Sequence, residues 1–174
     1  MFLGNAALFE AVADRPWAVF LDSGLHHPGR ARYDIIAAEP YVRLVTRGAL
    51  TEVHADGVEL SRADPFELLR THVAMDAAGA GDLPFSGGAI GYFGYDLARR
   101  IERLPARARD AERIPDMAVG LYDWAVVVDH SERRAWLAGE VVLGYSWPRF
   151  ELEEQREGSL TVGLGLEILV GGWK

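Results

Sequence analysis

Cysteine is absent from this chain of 174 residues, which excludes disulfides, thiolate metal sites and cysteine nucleophiles together. Lysine is nearly absent as well: among 18 basic residues only Lys174 is a lysine, and it stands at the last position. A mechanism that needs a lysine base or a Schiff base therefore has a single, poorly placed candidate. The 5 histidines also lack the spacing of metal ligands. We therefore expect no metal or other cofactor within this chain.

Long apolar runs and an excess of positive charge are also missing. No apolar stretch reaches the ~20 residues that a transmembrane helix needs, and the segment before Asn5 is too short for a signal peptide. The formal net charge of −8 argues against nucleic acids and membrane surfaces, because both attract cationic proteins. We expect a cytoplasmic protein that binds neither nucleic acid nor membranes.

What the chain does have is a run of aromatic residues interleaved with glycine. Residues 84–96 read Pro-Phe-Ser-Gly-Gly-Ala-Ile-Gly-Tyr-Phe-Gly-Tyr-Asp. Glycine inside an apolar run is typical of a bulge, or of a place where another backbone or a ligand comes close. The segment therefore predicts a buried strand with something packed tightly over it. A phosphate-cradling loop is the alternative, but the spacing is not G-x-G-x-x-G and no lysine follows.

Short strands dominate the remaining pattern. The dipeptide Asp56-Gly57 between two strand-like runs predicts a hairpin, and Asp64-Pro65 predicts the start of a helix. Residues 117–129 predict one long apolar strand, and residues 160–170 alternate with the period of a strand. Many short strands with few helices indicate an α+β fold with mainly antiparallel β-sheet.

Four stretches, in a fixed order along the chain, carry a family resemblance. They are Trp17-Ala18-Val19-Phe20-Leu21-Asp22-Ser23-Gly24, then Arg32-Tyr33-Asp34-Ile35, then residues 83–105, then residues 115–130. Together they resemble the N-terminal part of component I of aminodeoxychorismate synthase and, more distantly, of anthranilate synthase. The resemblance implies the N-terminal portion of the chorismate-utilising, anthranilate synthase component I-like fold. It implies a domain over residues 1–145 and an atypical tail over residues 146–174.

The resemblance also implies which parts of the enzyme are elsewhere. In this family the chorismate pocket, the Mg²⁺-binding glutamates and the catalytic lysine lie in a C-terminal half that these residues do not include. The chain is then a non-catalytic part of an enzyme that aminates chorismate for p-aminobenzoate and folate biosynthesis. Its implied partners are the missing half, where Mg²⁺ is expected, and a glutamine amidotransferase subunit. Alone, the chain is expected to be inactive, so its status as an enzyme stays open.

A pocket for L-tryptophan is the site that the resemblance places within this chain. Its positions are Leu21, Asp22, Ser23, Arg30, Arg32 and Tyr33. A hydroxyl or a carboxylate can accept from an α-ammonium group, a guanidinium can pair with a carboxylate, and apolar and aromatic walls can hold an indole.

Several other interpretations stay open at this point. The chain can be a stand-alone amino-acid-binding regulatory module, or the N-terminal fragment of an anthranilate synthase for tryptophan biosynthesis. Ser23 and Arg32 can be an ordinary turn residue and a surface arginine. Asp129-His130 resembles half of a catalytic triad, but no G-x-S-x-G motif accompanies it, so we interpret it as polarity at a strand end. The arginines between residues 99 and 113 favour a docking surface for the missing half or the glutaminase subunit.

Overall fold

A computed structural model describes residues 5–24, 31–73, 83–105, 110–132, 134–139, 160–163 and 165–170. Its elements in chain order are α1 (Asn5–Glu10), β1 (Val19–Leu21), β2 (Tyr33–Ala37), β3 (Val42–Arg47), β4 (Leu50–His54), β5 (Val58–Ser61), α2 (Pro65–His72), β6 (Gly88–Phe93), a 3₁₀ helix (Tyr95–Arg100), β7 (Met117–Tyr122), β8 (Trp124–Asp129), β9 (Arg134–Gly139), β10 (Leu160–Gly163) and β11 (Gly165–Val170). The strands form mainly antiparallel sheets with few helices, which confirms the predicted fold class.

The described residues divide into two compact units. The first unit draws on Met1–Glu39, Asp76–Gly88 and Tyr122–Lys174. Its sheet has six strands in the order β1-β2-β8-β9-β11-β10. The strand period of residues 160–170 is confirmed, because β10 and β11 pair with each other and β11 pairs with β9. The predicted boundary at residue 145 stays a prediction.

One face of this sheet carries a hydrophobic cluster of the first unit. Ile36 on β2 lies opposite Phe20 on β1 and packs with Val12 and Trp124. The rings of Phe9 and Phe20 stack with centroids 5.4 Å apart, which fixes the N-terminal segment against the sheet. Burial of these apolar groups is the main force holding helix α1 and its following turns in place.

The second unit draws on Pro40–Met75 and Ala89–Leu121 and contains a five-stranded sheet in the order β5-β4-β3-β7-β6. Its core lies on β3 and β7, where Leu44, Met117 and Leu121 are fully buried. Apolar residues of α2 cover this core. On β3 and β4, buried residues alternate with more exposed ones, as expected for a half-buried antiparallel sheet.

Two local predictions in the second unit are confirmed. The strands β4 and β5 flank residues 55–57, as the Asp56-Gly57 signal indicated. Helix α2 begins at Pro65, and the Asp64 carboxylate accepts hydrogen bonds from the backbone N–H groups of Phe66 and Glu67 at 2.9 and 3.2 Å. These bonds satisfy two of the donors that a helix start leaves unpaired.

Two strand predictions are wrong in instructive ways. The apolar run 117–129 is not one strand: it breaks at Asp123, and β7 and β8 belong to different sheets. The glycine-rich segment is not a buried strand, because β6 lies at the edge of its sheet, with Tyr92 41% and Phe93 51% exposed.

The expected close approach at a glycine is nevertheless confirmed. A Cβ added to Gly91 would lie 2.1 Å from the carbonyl oxygen of Ala118 and 2.6 Å from Cα of Val119. These are backbone atoms of β7, which cannot move aside as a flexible side chain could. Glycine is therefore required at this position by the neighbouring strand and not by a ligand.

Candidate functional site

Ser23, Asp34 and His130 form a partly buried polar group at the end of the first sheet. Asp34 Oδ1 accepts two hydrogen bonds from Ser23, one from the backbone N–H at 2.9 Å and one from the hydroxyl at 2.8 Å. The other carboxylate oxygen, Oδ2, lies 2.9 Å from Nε2 of His130. The side chain of Asp34 is 0% exposed and that of His130 6%. The three residues come from the turn after β1, from β2 and from the end of β8.

The charge of Asp34 is stabilised in spite of its burial. Burial alone would raise the pKa of this carboxyl, since a charge in a low-dielectric interior is unfavourable. The hydrogen bonds from Ser23 and His130, with the charge of His130, outweigh burial and hold the pKa below its ordinary value. Asp34 is therefore an anion that accepts hydrogen bonds at neutral pH.

A second group joins Arg32 to Asp129. Arg32 donates from Nε and Nη2 to Asp129 Oδ2 at 3.0 and 2.6 Å. Asp129 Oδ1 accepts from the backbone N–H groups of Ser131 and Glu132. The guanidinium carbon of Arg32 also lies 4.7 Å from the centroid of the Tyr33 ring, within the range of a cation–π contact.

The charged states of Asp129 and Arg32 stabilise each other. Burial alone would raise the pKa of Asp129, but hydrogen bonds from Arg32, Glu132 and Ser131 and the charge of Arg32 lower it below its ordinary value. The hydrogen bond to Asp129 raises the pKa of Arg32 further above its already high value. The Arg32 side chain remains 47% exposed, so solvent and a ligand can still reach the guanidinium.

The two groups lie on opposite faces of the sheet. Tyr33 pairs with Asp129 across β2 and β8, and Asp34 pairs with Val128. Cross-strand partners share a face, whereas successive residues of a strand point to opposite faces. The carboxylate that holds Arg32 is therefore on one face, and the carboxylate that holds Ser23 is on the other.

The predicted pocket positions divide between these two faces. Leu21, 46% exposed, pairs with Ile35 and so shares its face with Tyr33. Ser23 belongs to the Asp34 group, whereas Arg32 belongs to the Asp129 group. The Asp22 carboxylate accepts from the backbone N–H of Gly24 at 2.7 Å, which shapes the turn. Arg30 lies outside the described residues.

Sequence reasoning missed the two carboxylates that organise this end of the sheet. Asp34 stands inside the quoted motif Arg32-Tyr33-Asp34-Ile35, but its role depends on a pairing with residues almost a hundred positions away. The sequence predicts only strand-end polarity for His130, whereas the structure gives its imidazole a buried carboxylate partner. The adjacent pair Asp129-His130 is the sequence signal for the two polar groups, because successive residues of a strand point to opposite faces of a sheet.

The second unit carries an arginine-containing cavity of about 270 Å³. It is lined by Gly48, Ala49, Asp96, Leu97, Arg99, Arg100 and Asp116. Arg99 pairs with Asp96, and Arg100 donates to the carbonyl oxygen of Gly48 at 2.7 Å. Acidic and basic groups alternate around this cavity, so it presents no field of one sign to a ligand.

The described ranges contain neither a candidate metal-binding cluster nor a candidate membrane-spanning helix. In these ranges, no three His, Asp or Glu side chains are grouped as a metal ion would require. None of the helices in the same ranges has the length and apolar character needed to cross a bilayer.

The fold of this chain resembles that of a solved protein. The crystal structure of anthranilate synthase component I from Streptococcus pneumoniae TIGR4 superposes with a TM-score of 0.53. The match covers 64% of this chain and 26% of that one, at 24% identity. At this identity the likeness establishes the fold alone, and it agrees with the predicted portion of the anthranilate synthase component I-like fold.

Sequence comparison then identifies the family. A family model described as chorismate binding enzyme matches residues 22–157, so this chain belongs to the family of chorismate-binding enzymes. Aminodeoxychorismate synthase component 1 of Klebsiella aerogenes is 46% identical over 133 residues, and that of Escherichia coli (strain K12) is 40% identical over 151 residues. Anthranilate synthase component 1 of Mycobacterium bovis is 32% identical over 144 residues.

The matches cover most of this chain but a minor part of each relative. They span 74%, 76% and 79% of this chain, and 30%, 33% and 28% of the respective relatives. The chain therefore spans about a third of the length of the curated relatives that it matches.

Proposed function

We propose that this chain is the N-terminal, non-catalytic part of an aminodeoxychorismate synthase and carries a pocket for L-tryptophan. The whole enzyme would replace the 4-hydroxyl group of chorismate with an amino group, for p-aminobenzoate and folate biosynthesis. Ammonia would come from a glutamine amidotransferase subunit, and Mg²⁺ would bind in the remaining part of the enzyme. The observation that carries the proposal is the 46% and 40% identity to aminodeoxychorismate synthase component 1, against 32% to anthranilate synthase component 1.

The non-catalytic role is supported by the extent of the match. The chain corresponds to about a third of its relatives, and its only lysine is Lys174. The test is incubation of the purified chain with chorismate, Mg²⁺ and ammonia, with the full-length Escherichia coli relative as a positive control. We expect no aminodeoxychorismate from this chain, and appreciable product formation refutes the proposal.

The tryptophan pocket is supported by the chemistry at the end of β1 and the start of β2. Ser23, bound to Asp34 on one face, offers a hydroxyl that can accept from an α-ammonium group, and Arg32, bound to Asp129 on the other face, offers a cation for a carboxylate. A single ligand would reach both residues only around the ends of β1 and β2. Asp129 uses two of the five N–H donors of the guanidinium, so others remain for a ligand. Leu21 and Tyr33 share a face and supply apolar and aromatic surface for an indole.

The pocket is tested by calorimetric titration with L-tryptophan. A hydrogen bond to a charged group contributes about 1.5–3 kcal/mol, so Ser23→Ala should weaken binding about tenfold or more. Ser131→Ala is the matched control, because Ser131 is exposed and its hydrogen bond to Asp129 comes from the backbone, which alanine retains. Equal affinities of the Ser23 and Ser131 variants would refute the assigned pocket.

A stand-alone amino-acid-binding module is the second candidate function. This module would have the same tryptophan pocket, but its isolated chain would be a stable monomer and not a dissociated part of a larger enzyme. Tryptophan binding by a stable monomer that sediments uniformly favours the module. Association or poor solubility of the isolated chain favours a part of a larger enzyme.

A further inference from the structure

The cavity of the second unit is lined by a cation and an anion that are held close together without pairing. Arg100 Nη2 donates to the carbonyl oxygen of Gly48 at 2.7 Å, and Asp116 Oδ2 accepts from the backbone N–H of the same residue at 2.6 Å. Because each charged group is one hydrogen bond away from Gly48, the two lie less than about 10 Å apart. The turn between β3 and β4 therefore separates two opposite charges that both face one cavity.

The neighbouring arginine is already neutralised. Arg99 donates from Nε to Asp96 Oδ1 at 2.9 Å and from Nη1 to the carbonyl oxygen of Leu104 at 2.8 Å. Among the described residues, no carboxylate lies within ion-pair distance of the Arg100 guanidinium. The charges that the cavity leaves for a ligand are thus those of Arg100 and Asp116.

Arg100 also has a donor that the protein leaves unsatisfied. Within the described ranges, its Nε is the only buried side-chain nitrogen or oxygen without a hydrogen-bond partner. Buried donors in native structures are almost always paired, and an unpaired one indicates a missing partner or stored strain. Since Nε is buried, a ligand reaches it only when the guanidinium turns towards the cavity. A carboxylate can drive this turn, because it accepts from two guanidinium donors at once.

We infer that this cavity binds a small zwitterionic amino acid, whose carboxylate pairs with Arg100 and whose ammonium group pairs with Asp116. Asp116 repels a simple anion and Arg100 repels a simple cation, so the alternating charges favour a ligand that carries both. The cavity volume of about 270 Å³ equals that of about nine water molecules, which suits an amino acid with a small side chain. This site goes beyond the proposed function and uses none of the residues of the tryptophan pocket.

Titration of the ¹⁵N-labelled chain with glycine, acetate and methylammonium tests the inference. Glycine carries both charges, and each of the other two probes carries one of them. The amides of Gly48 and of residues 97–100 should shift with glycine along one saturable curve. Glycine should bind more tightly than either single-charge probe, by about tenfold or more. Equal affinities for glycine and acetate, or no saturable shift with glycine, would overturn the inference.

Substitutions then assign the two charges. Arg100→Gln should weaken glycine binding about tenfold or more. Arg103→Gln is the matched control, because Arg103 is exposed and is not among the residues that line the cavity, and it should leave the affinity unchanged.

Asp116→Asn guards against a variant that merely loosens the fold. Asparagine keeps an oxygen for the Gly48 N–H and removes the charge, so this variant should bind glycine more weakly and acetate more tightly. An unfolded chain cannot show such a gain. Weaker binding of both probes would mean that Asp116 only holds the turn between β3 and β4, and would overturn the inference.

Discussion

Among the described glycines, Gly91 should be the most damaging to replace by alanine. The added Cβ would lie 2.1 Å from the Ala118 carbonyl oxygen and 2.6 Å from Cα of Val119. Relief of this clash requires β6 and β7 to separate by about 1 Å, because the atoms involved are backbone. Overpacking of this kind costs about 1–3 kcal/mol, and the rigid partner puts Gly91→Ala at about 3 kcal/mol.

Thermal and urea unfolding measure this cost directly. For a chain of this size, about 3 kcal/mol corresponds to a fall in Tm of roughly 6–12 °C. Gly57→Ala is the matched control, because a Cβ added there meets nothing within 4 Å. The control should be neutral, or stabilising by about 0.5 kcal/mol through the unfolded state. Equal Tm values for the two alanine variants would refute the close-approach explanation of the glycine-rich segment.

Three further outcomes are expected. The pKa values of Asp34 and Asp129 lie below their ordinary value of about 4. The contribution of these carboxylates to the free energy of unfolding is therefore complete above that pH and is lost as they become protonated in acid. The urea midpoint should fall below about pH 4, and a midpoint unchanged down to about pH 2.5 would contradict this. Thr46 and Thr51 are fully buried, and their hydroxyls share one hydrogen bond of 2.9 Å. Thr46→Val should lower the free energy of unfolding by about 1–2 kcal/mol, because the Thr51 hydroxyl is left unpaired, and the double variant Thr46→Val/Thr51→Val should lower it much less. Losses in the urea midpoint that simply add would count against this pairing. The chain should self-associate through edge strand β6 and Tyr95, which is 84% exposed, and Tyr95→Glu should weaken this association. A uniform monomer in sedimentation at high protein concentration would contradict this expectation.

Local chemistry explains which parts of the fold were predictable. The Asp56-Gly57 turn and the Asp64 cap depend on neighbours within four residues, and both are found as predicted. The break at Asp123 was not predictable from hydrophobicity, because β7 and β8 are both apolar although they belong to different sheets. The edge position of β6 was missed for a related reason, since aromatic residues indicate burial only when another layer covers them.

The candidate site also has a part that the sequence predicts and a part that it does not. The resemblance identified Ser23 and Arg32 by their motifs, but motifs do not indicate which face of a sheet each side chain serves. That information lies in the register of β2 against β8, which joins Asp34 to Val128 and Tyr33 to Asp129. Pairings across almost a hundred residues are tertiary properties and have no local signal in the sequence.

The central claim is that an amino acid with an indole side chain binds at the end of β1 and the start of β2. Titration of ¹⁵N-labelled protein with L-tryptophan tests it most directly. We expect the amides of Leu21, Ser23 and Tyr33 to shift together along one saturable curve, with amides of the 3₁₀ helix Tyr95–Arg100 unchanged. Saturable shifts confined to the 3₁₀ helix, or no shifts at ligand concentrations in the millimolar range, would contradict the account.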